Sequence, residues 1–290
     1  MEKEQRKLFF FSAKEYREKG NTMNKMICST GGLVVRANNR DYRQLKNILP
    51  QIRCDGVEFM MYSMWYDVID EITAFLKDLP VTYPVLHTEK SIGEYLAREE
   101  FDEANRRFRV NCRLARELGS SLMVLHLWNG IISDSNMKAN LKGCGDLLKI
   151  AADEGLALTV ENVVCNCSDP MTHLWELLEM YPDIQFTFDT KMAQFHRQLE
   201  ELYDEKNAAL IPHIRHLHIN DIRCGYMDWD NLKTLHIGDG EIDFERFFAF
   251  VKNSGYRGDY TVEALTIAPD GTPLPEKMNK TLDYIRARVL

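Results

Sequence analysis

From Met26 onward the chain alternates two hydrophobic periods. Short, nearly continuous apolar runs occupy 26–30 (MICST), 56–60 (GVEFM), 83–87 (YPVLH), 122–127 (LMVLHL), 156–161 (LALTVE), 184–189 (IQFTFD), 214–220 (IRHLHIN) and 259–264 (DYTVEA). Such runs predict parallel strands buried on both faces. Between them, apolar positions recur at helical spacing. Phe101, Ala104, Phe108, Cys112, Ala115 and Leu118 share one helix face, and Met171, Leu174, Trp175 and Leu178 another. Asp169-Pro170 supplies an N-cap and a first-turn proline for the second of these. Phe244, Phe247, Phe248 and Val251 form a third stripe, and Leu282, Ile285 and Val289 predict a closing helix. Residues 1–22 break the pattern, mixing charges of both signs around a Leu8-Phe9-Phe10-Phe11 cluster too short for a signal sequence.

Eight strands, each followed by a helix and with no linker between them, predict an α/β fold, a (β/α)₈ TIM barrel of typical size. It forms a single domain over 23–290, with 1–22 as an N-terminal leader or extension. A doubly wound open sheet needs a Gly-rich phosphate turn after its first strand, and Gly31-Gly32 does not supply one. Composition narrows the function classes. Apolar residues make up 45% and charged residues 28% of 290, and no run is long and apolar enough for a membrane helix. The formal net charge of −8 weighs against a nucleic-acid partner held by phosphate contacts. Seven cysteines without framework spacing point to a reduced, cytoplasmic chain, with Cys165 and Cys167 as loop thiols. A homo-oligomer is compatible with all of this.

In such a barrel, chemistry sits at the C-terminal ends of the strands. The runs there end on His87, His126, Glu161, Asp189, His218 and Glu263. His216 shares a face with His218, but His218 lies nearer the strand end. Carboxylates at the ends of apolar strands are costly to desolvate unless something balances them. One divalent metal ion (Mn, Mg, Co or Zn) resolves this and leaves positions open for substrate oxygens. Trp128, Trp65 and Tyr62, just past strands four and two, are candidates for an apolar floor under a bound ligand or for rim packing. Arg223 is either a substrate contact or an exposed surface residue. Gly238-Asp239-Gly240 reads as a tight turn, and nothing after strands seven and eight reads as a phosphate cradle.

The runs TVEN (159–162), FTFDT (186–190), HLHIND (216–221), LHIGDGEIDF (235–244) and TVEA (261–264), in this order, resemble the xylose isomerase-like barrel superfamily. Within it they are most similar to the sugar phosphate isomerase/epimerase branch, which is related to the apurinic endonuclease family. The resemblance implies that Glu161, Asp189, His218 and Glu263 are the metal ligands, and that Glu161 and Glu263 transfer protons. It implies a second-metal or substrate role for His87, His126 and His236. Two positions depart from the endonuclease pattern, Met192 and Thr234, and they remove two ligands of one endonuclease zinc. The implied activity is a metal-dependent isomerase/epimerase of a small-molecule sugar or polyol, working through a metal-stabilised enediolate. The alternatives are a metal-dependent endonuclease or phosphodiesterase on the same barrel, a cyclic-polyol dehydratase, a Schiff-base enzyme through Lys191, and a barrel that binds without turnover.

Overall fold

The structure is a computed structural model that describes residues 24–289, so the 1–22 extension lies outside the described residues. All eight expected strands form: β1 (Met26–Ser29), β2 (Gly56–Met60), β3 (Val85–His87), β4 (Leu122–Leu125), β5 (Ala157–Glu161), β6 (Gln185–Asp189), β7 (Ile214–His218) and β8 (Asp259–Val262). They pair in parallel in chain order, and β8 returns to β1 to close the barrel.

Strand alternation divides the barrel wall into two faces. Cys28, Val57, Phe59, Leu86, Met123, Val160, Phe186, Phe188, Leu217 and Val262 point outward into the layer beneath the helices. The inward face is apolar only at the N-terminal end, where Ile27, Val85, Leu122 and Val124 form their own cluster. Above it the interior turns polar. The hydroxyls of Thr159 and Thr187 meet at 2.7 Å, and His216 Nε2 lies 2.9 Å from Thr261 Oγ1. The ionisable residues at the rim therefore rest on a polar floor.

The helices follow the predicted stripes: α1 (Leu45–Ile48), α2 (Ile69–Lys77), α3 (Ser91–Ala97), α4 (Phe101–Leu118), α5 (Met137–Asp153), α6 (Pro170–Met180), α7 (Thr190–Phe195), α8 (Phe244–Asn253) and α9 (Pro275–Val289). The carboxylate of Asp169 accepts from Thr172 N at 2.9 Å, capping α6 as its sequence implies. The eight units are not equivalent. After β1 the helix shrinks to the single turn of α1, bounded by 3₁₀ turns and Pro50. The connection from β7 to α8 is a long loop pinned by Asp221, whose two oxygens accept backbone N–H groups from Gly238, Gly240, Glu241 and Ile242. A Cβ on Gly240 would meet Asp221 Oδ1 at 2.2 Å, so the turn closes only around glycine. All seven cysteines are unpaired. Among the described residues no helix is long and apolar enough to cross a membrane.

Candidate active site

Four side chains from four strands meet at the C-terminal rim. Glu161, Asp189 and His218 end β5, β6 and β7, and Glu263 follows β8 by one residue. Their ligand-type atoms all lie within 4.8 Å of one another. His218 Nδ1 is 3.2 Å from Glu161 Oε1 and 3.6 Å from Glu263 Oε2. Glu161, Asp189 and His218 are completely buried, whereas Glu263 lines a cavity of about 330 Å³. Side-chain amides fix the strand ends: Asn162 Oδ1 accepts from Asp189 N at 2.6 Å, and Asn220 donates to Asp189 Oδ2 at 2.9 Å while accepting from Glu263 N at 3.0 Å. Asp189 also caps α7 through the N–H groups of Lys191 and Met192.

The imidazoles show what is missing between these groups. His218 Nε2 lies 3.1 Å from Glu58 Oε2, and its Nδ1 faces the carboxylates of Glu161 and Glu263. His87 Nδ1 donates to Thr88 O at 2.9 Å, which turns the Nε2 lone pair toward Glu161 Oε2 at 3.3 Å. His126 Nδ1 donates to Asn129 Oδ1 at 3.2 Å, leaving Nε2 2.8 Å from the same Glu161 oxygen. Among the described residues, no backbone N–H reaches the Glu161 carboxylate. Lone pairs aimed at carboxylate oxygens repel unless a proton or a cation stands between them. The donor set fits a divalent cation at Glu161 Oε1, Asp189, His218 and Glu263. A second three-residue group, His87, His126 and Glu161, shares that glutamate.

Charge balance agrees with this geometry. Burial pulls His218 toward neutrality, but Glu58, Glu263 and Glu161 outweigh it and hold the imidazole well above the usual histidine range. Burial raises Glu161, yet His218 and His126 hold its carboxyl well below the usual carboxylate range. Asp189 goes the other way, raised by burial and by Glu161 against the pull of Lys191. Burial, aided by the Lys90 ammonium, pushes His126 down to about 4.

Three expected contacts lie elsewhere. Trp128 is not a pocket floor: it is fully buried, donates to Val163 O at 3.0 Å and packs edge-on against His173. His236 joins neither group, because Thr281 Oγ1 at 2.9 Å and Leu265 O at 3.2 Å engage its two nitrogens. Arg223 is exposed and donates to Gly240 O at 2.9 Å. Trp65 is packed against Tyr42, Phe59 and Tyr62, and of the three aromatic candidates only Tyr62 lines the cavity. Two further residues join the site: Glu58, which the sequence did not single out, and Lys191, which it offered only as a Schiff-base lysine. Glu58, completely buried in mid-strand, orients both His216 and His218. Its signal was a lone acid inside an apolar run. Lys191 lies buried with Nζ 3.8 Å from Asp189 Oδ2 and 3.1 Å from Thr234 Oγ1, so one of the two departures from the endonuclease pattern anchors a fixed ammonium.

Comparison with known proteins identifies the family and the fold. A model of the xylose isomerase-like TIM barrel family matches residues 51–288. The chain is 24% identical to the inosose dehydratase of Erwinia tasmaniensis over 167 residues, 53% of this chain and 56% of that protein. The match thus spans about half the length of such curated relatives. Among solved structures it is similar to a D-psicose 3-epimerase with D-tagatose from Clostridium cellulolyticum, with a TM-score of 0.67 and 13% identity over 91% of this chain and 99% of that one. It is also similar to the IolI protein with a binding zinc atom, with a TM-score of 0.65 and 14% identity over 92% and 99%. At such identities the structural likeness shows the fold. The family match covers most of the barrel, and the chain belongs to the xylose isomerase-like TIM barrel family.

Proposed function

We propose that the chain is a divalent-metal-dependent isomerase or epimerase of a sugar or polyol, acting by proton transfer next to a carbonyl. The observation that carries this reading is the set of imidazole nitrogens gathered on buried carboxylates beneath a cavity that Glu263 lines. Glu161, Asp189, His218 and Glu263 would hold the ion. When bound, it supplies Lewis-acid polarisation of a substrate carbonyl and so acidifies the neighbouring C–H.

The chain's own residues do the rest. Glu263 reaches the cavity and accepts from Ser29 Oγ at 3.2 Å, so it is positioned to take the proton from the substrate carbon. Glu161, the other carboxylate in contact with His218 Nδ1, is the second group that the family resemblance assigns to proton transfer. The Lys191 ammonium lines the same cavity with Thr234 and offsets negative charge as it grows on the substrate oxygen. Glu58 keeps His218 in the tautomer whose Nδ1 is free.

A cyclic-polyol dehydratase uses the same proton removal followed by loss of hydroxide, and the likeness to an inosose dehydratase supports that variant. The three-residue group of His87, His126 and Glu161 favours a second reading, a two-metal hydrolase. The test is incubation of metal-loaded protein with ketoses and cyclic ketopolyols in D₂O, read by NMR. Deuterium at the carbon beside the carbonyl is expected, with the product distinguishing epimer from dehydrated species. Absence of exchange across the panel, together with two metal ions per chain and cleavage of a phosphodiester, would overturn the reading in favour of the hydrolase.

A further inference from the structure

We propose that the cavity above Glu263 selects a substrate bearing an oxyanion, a phosphate or carboxylate, and that Arg40 and Lys90 bind it. This deepens, and rests on, the proton-transfer reading of the same site.

The cavity carries Arg40, Lys90 and Lys191 on its wall, against Glu89 and Glu263. The acids are already engaged. Glu89 lies 3.5 Å from Arg107 Nη1 and accepts from Ser91 N at 2.8 Å, and Glu263 belongs to the His218 cluster. Lys191 is held by Asp189 and Thr234. Arg40 and Lys90 are different: among the described residues neither has a carboxylate partner. Elsewhere the arginines pair, as Arg53 does with Asp283 and Arg116 with Glu154. In a chain with 44 acidic and 36 basic residues, two uncompensated cations at one cavity reverse the overall charge locally.

Arg40 is also built into place. Asn38 ties down the loop after β1, accepting from Val35 N at 2.8 Å and donating to Leu33 O at 2.7 Å. Asn39 and Arg40 then take left-handed backbone angles, φ 58° and 51°, which non-glycine residues adopt at a cost in energy. The result sets the Arg40 guanidinium 4.6 Å above the Tyr62 ring, whose hydroxyl is fixed on Val34 O at 3.0 Å. Arg40 Nε is buried there without a hydrogen-bond partner. A flat guanidinium without a carboxylate partner, stacked and held at a cavity wall, suits an oxyanion, which takes N–H bonds from its terminal nitrogens. A cavity of about 330 Å³ accommodates a small metabolite. This subsite lies on the loops after β1 and β3, away from the β7 and β8 loops where a phosphate cradle was sought in the sequence.

Calorimetric titration of the metal-loaded protein tests it, with D-ribulose 5-phosphate, D-fructose 6-phosphate, D-ribonate, D-ribulose and D-fructose as probes. At least one anionic probe is expected to bind tenfold or more tightly than its neutral counterpart. The phosphate and carboxylate arms separate the two oxyanion sources. Arg40→Met with Lys90→Met should abolish that preference while leaving metal content unchanged, and Arg40→Lys should restore part of it. Equal binding of neutral and anionic probes, or a preference that survives the double substitution, overturns the subsite. Deuterium exchange in the same samples separates the two ideas. Anion-selective binding without exchange refutes the reaction and keeps the subsite, while exchange on neutral ketoses without selectivity does the reverse.

Discussion

Two clusters of buried histidine and carboxylate sit at the same end of the barrel, and they differ in where their hydrogens come from. In the first, the partners of Glu161 among the described residues are imidazoles: His87 and His126 on one oxygen and His218 on the other. In the second, between the loops after β4 and β5, Asp134 accepts from the backbone N–H groups of Asn166, Cys167 and Ser168 and from His173 Nε2 at 3.0 Å. Cys165 stands close enough to complete a metal-binding trio with Asp134 and His173. Burial keeps its thiol protonated, and Sγ donates to Val163 O at 3.4 Å. Ligand-type residues at ligand distance are thus present in both places. What separates them is the supply of protons. The Asp134 cluster is satisfied by hydrogen bonds and locks two loops together, whereas the Glu161 cluster is the one proposed to hold a cation.

The sharpest way to break this comparison is to neutralise one carboxylate in each cluster. Glu161→Gln and Glu263→Gln should each lower deuterium exchange by roughly 10²–10⁴-fold, the range for loss of a general acid or base, with far-UV circular dichroism unchanged. Glu161→Gln should also lose its metal by elemental analysis. Asp134→Asn should keep wild-type metal content. Exchange at the wild-type rate in both glutamine variants would sink the catalytic assignment, and metal lost from Asp134→Asn would erase the distinction between the clusters.

A smaller effect is expected from Glu58, which touches the first cluster only through His218 and His216. In Glu58→Gln the amide can place an NH₂ against His218 Nε2, favouring the tautomer that hides the Nδ1 lone pair. Loss of such an orienting partner lowers metal affinity by about 10–100-fold. Metal titration against a competing chelator measures this, and an unchanged affinity would make Glu58 a partner of His216 alone.

The barrel was legible because parallel strands buried on both faces leave unbroken apolar runs, and the four rim residues because each ends or directly follows such a run. Glu58 escaped that logic. It lies in the middle of β2, and its partners His216 and His218 are more than 150 residues away. Trp128, His236 and Arg223 stand at strand ends or in rim loops by sequence, yet each is drawn off by a backbone carbonyl or hydroxyl, that of Val163, Thr281 and Gly240 respectively. Arg40 gave no signal at all, since its place depends on two left-handed residues that only the folded loop reveals. Chain period reports burial, and strand ends report the rim. Neither reports which side chain has run out of hydrogen-bond partners.

The smallest effect tests the satisfied cluster on its own terms. Burial works to raise the Asp134 carboxyl, but His173 and the three backbone N–H groups outweigh it and hold the group at about 2. A carboxyl lowered from an unfolded value near 4 stabilises the folded state by roughly 2 kcal/mol wherever both states are ionised. The contribution is therefore complete at neutral pH, shrinks as pH falls below about 4, and is gone once pH passes below about 2. Asp134→Asn lacks the titrating group. Its deficit in denaturant-determined stability should be near 2 kcal/mol at pH 7, hold to about pH 4, and close between there and pH 2. A deficit independent of pH would mean that the variant loses packing rather than a charge held by hydrogen bonds, and the contrast between a sated and an unsated carboxylate would have to be drawn from the Glu161 side alone.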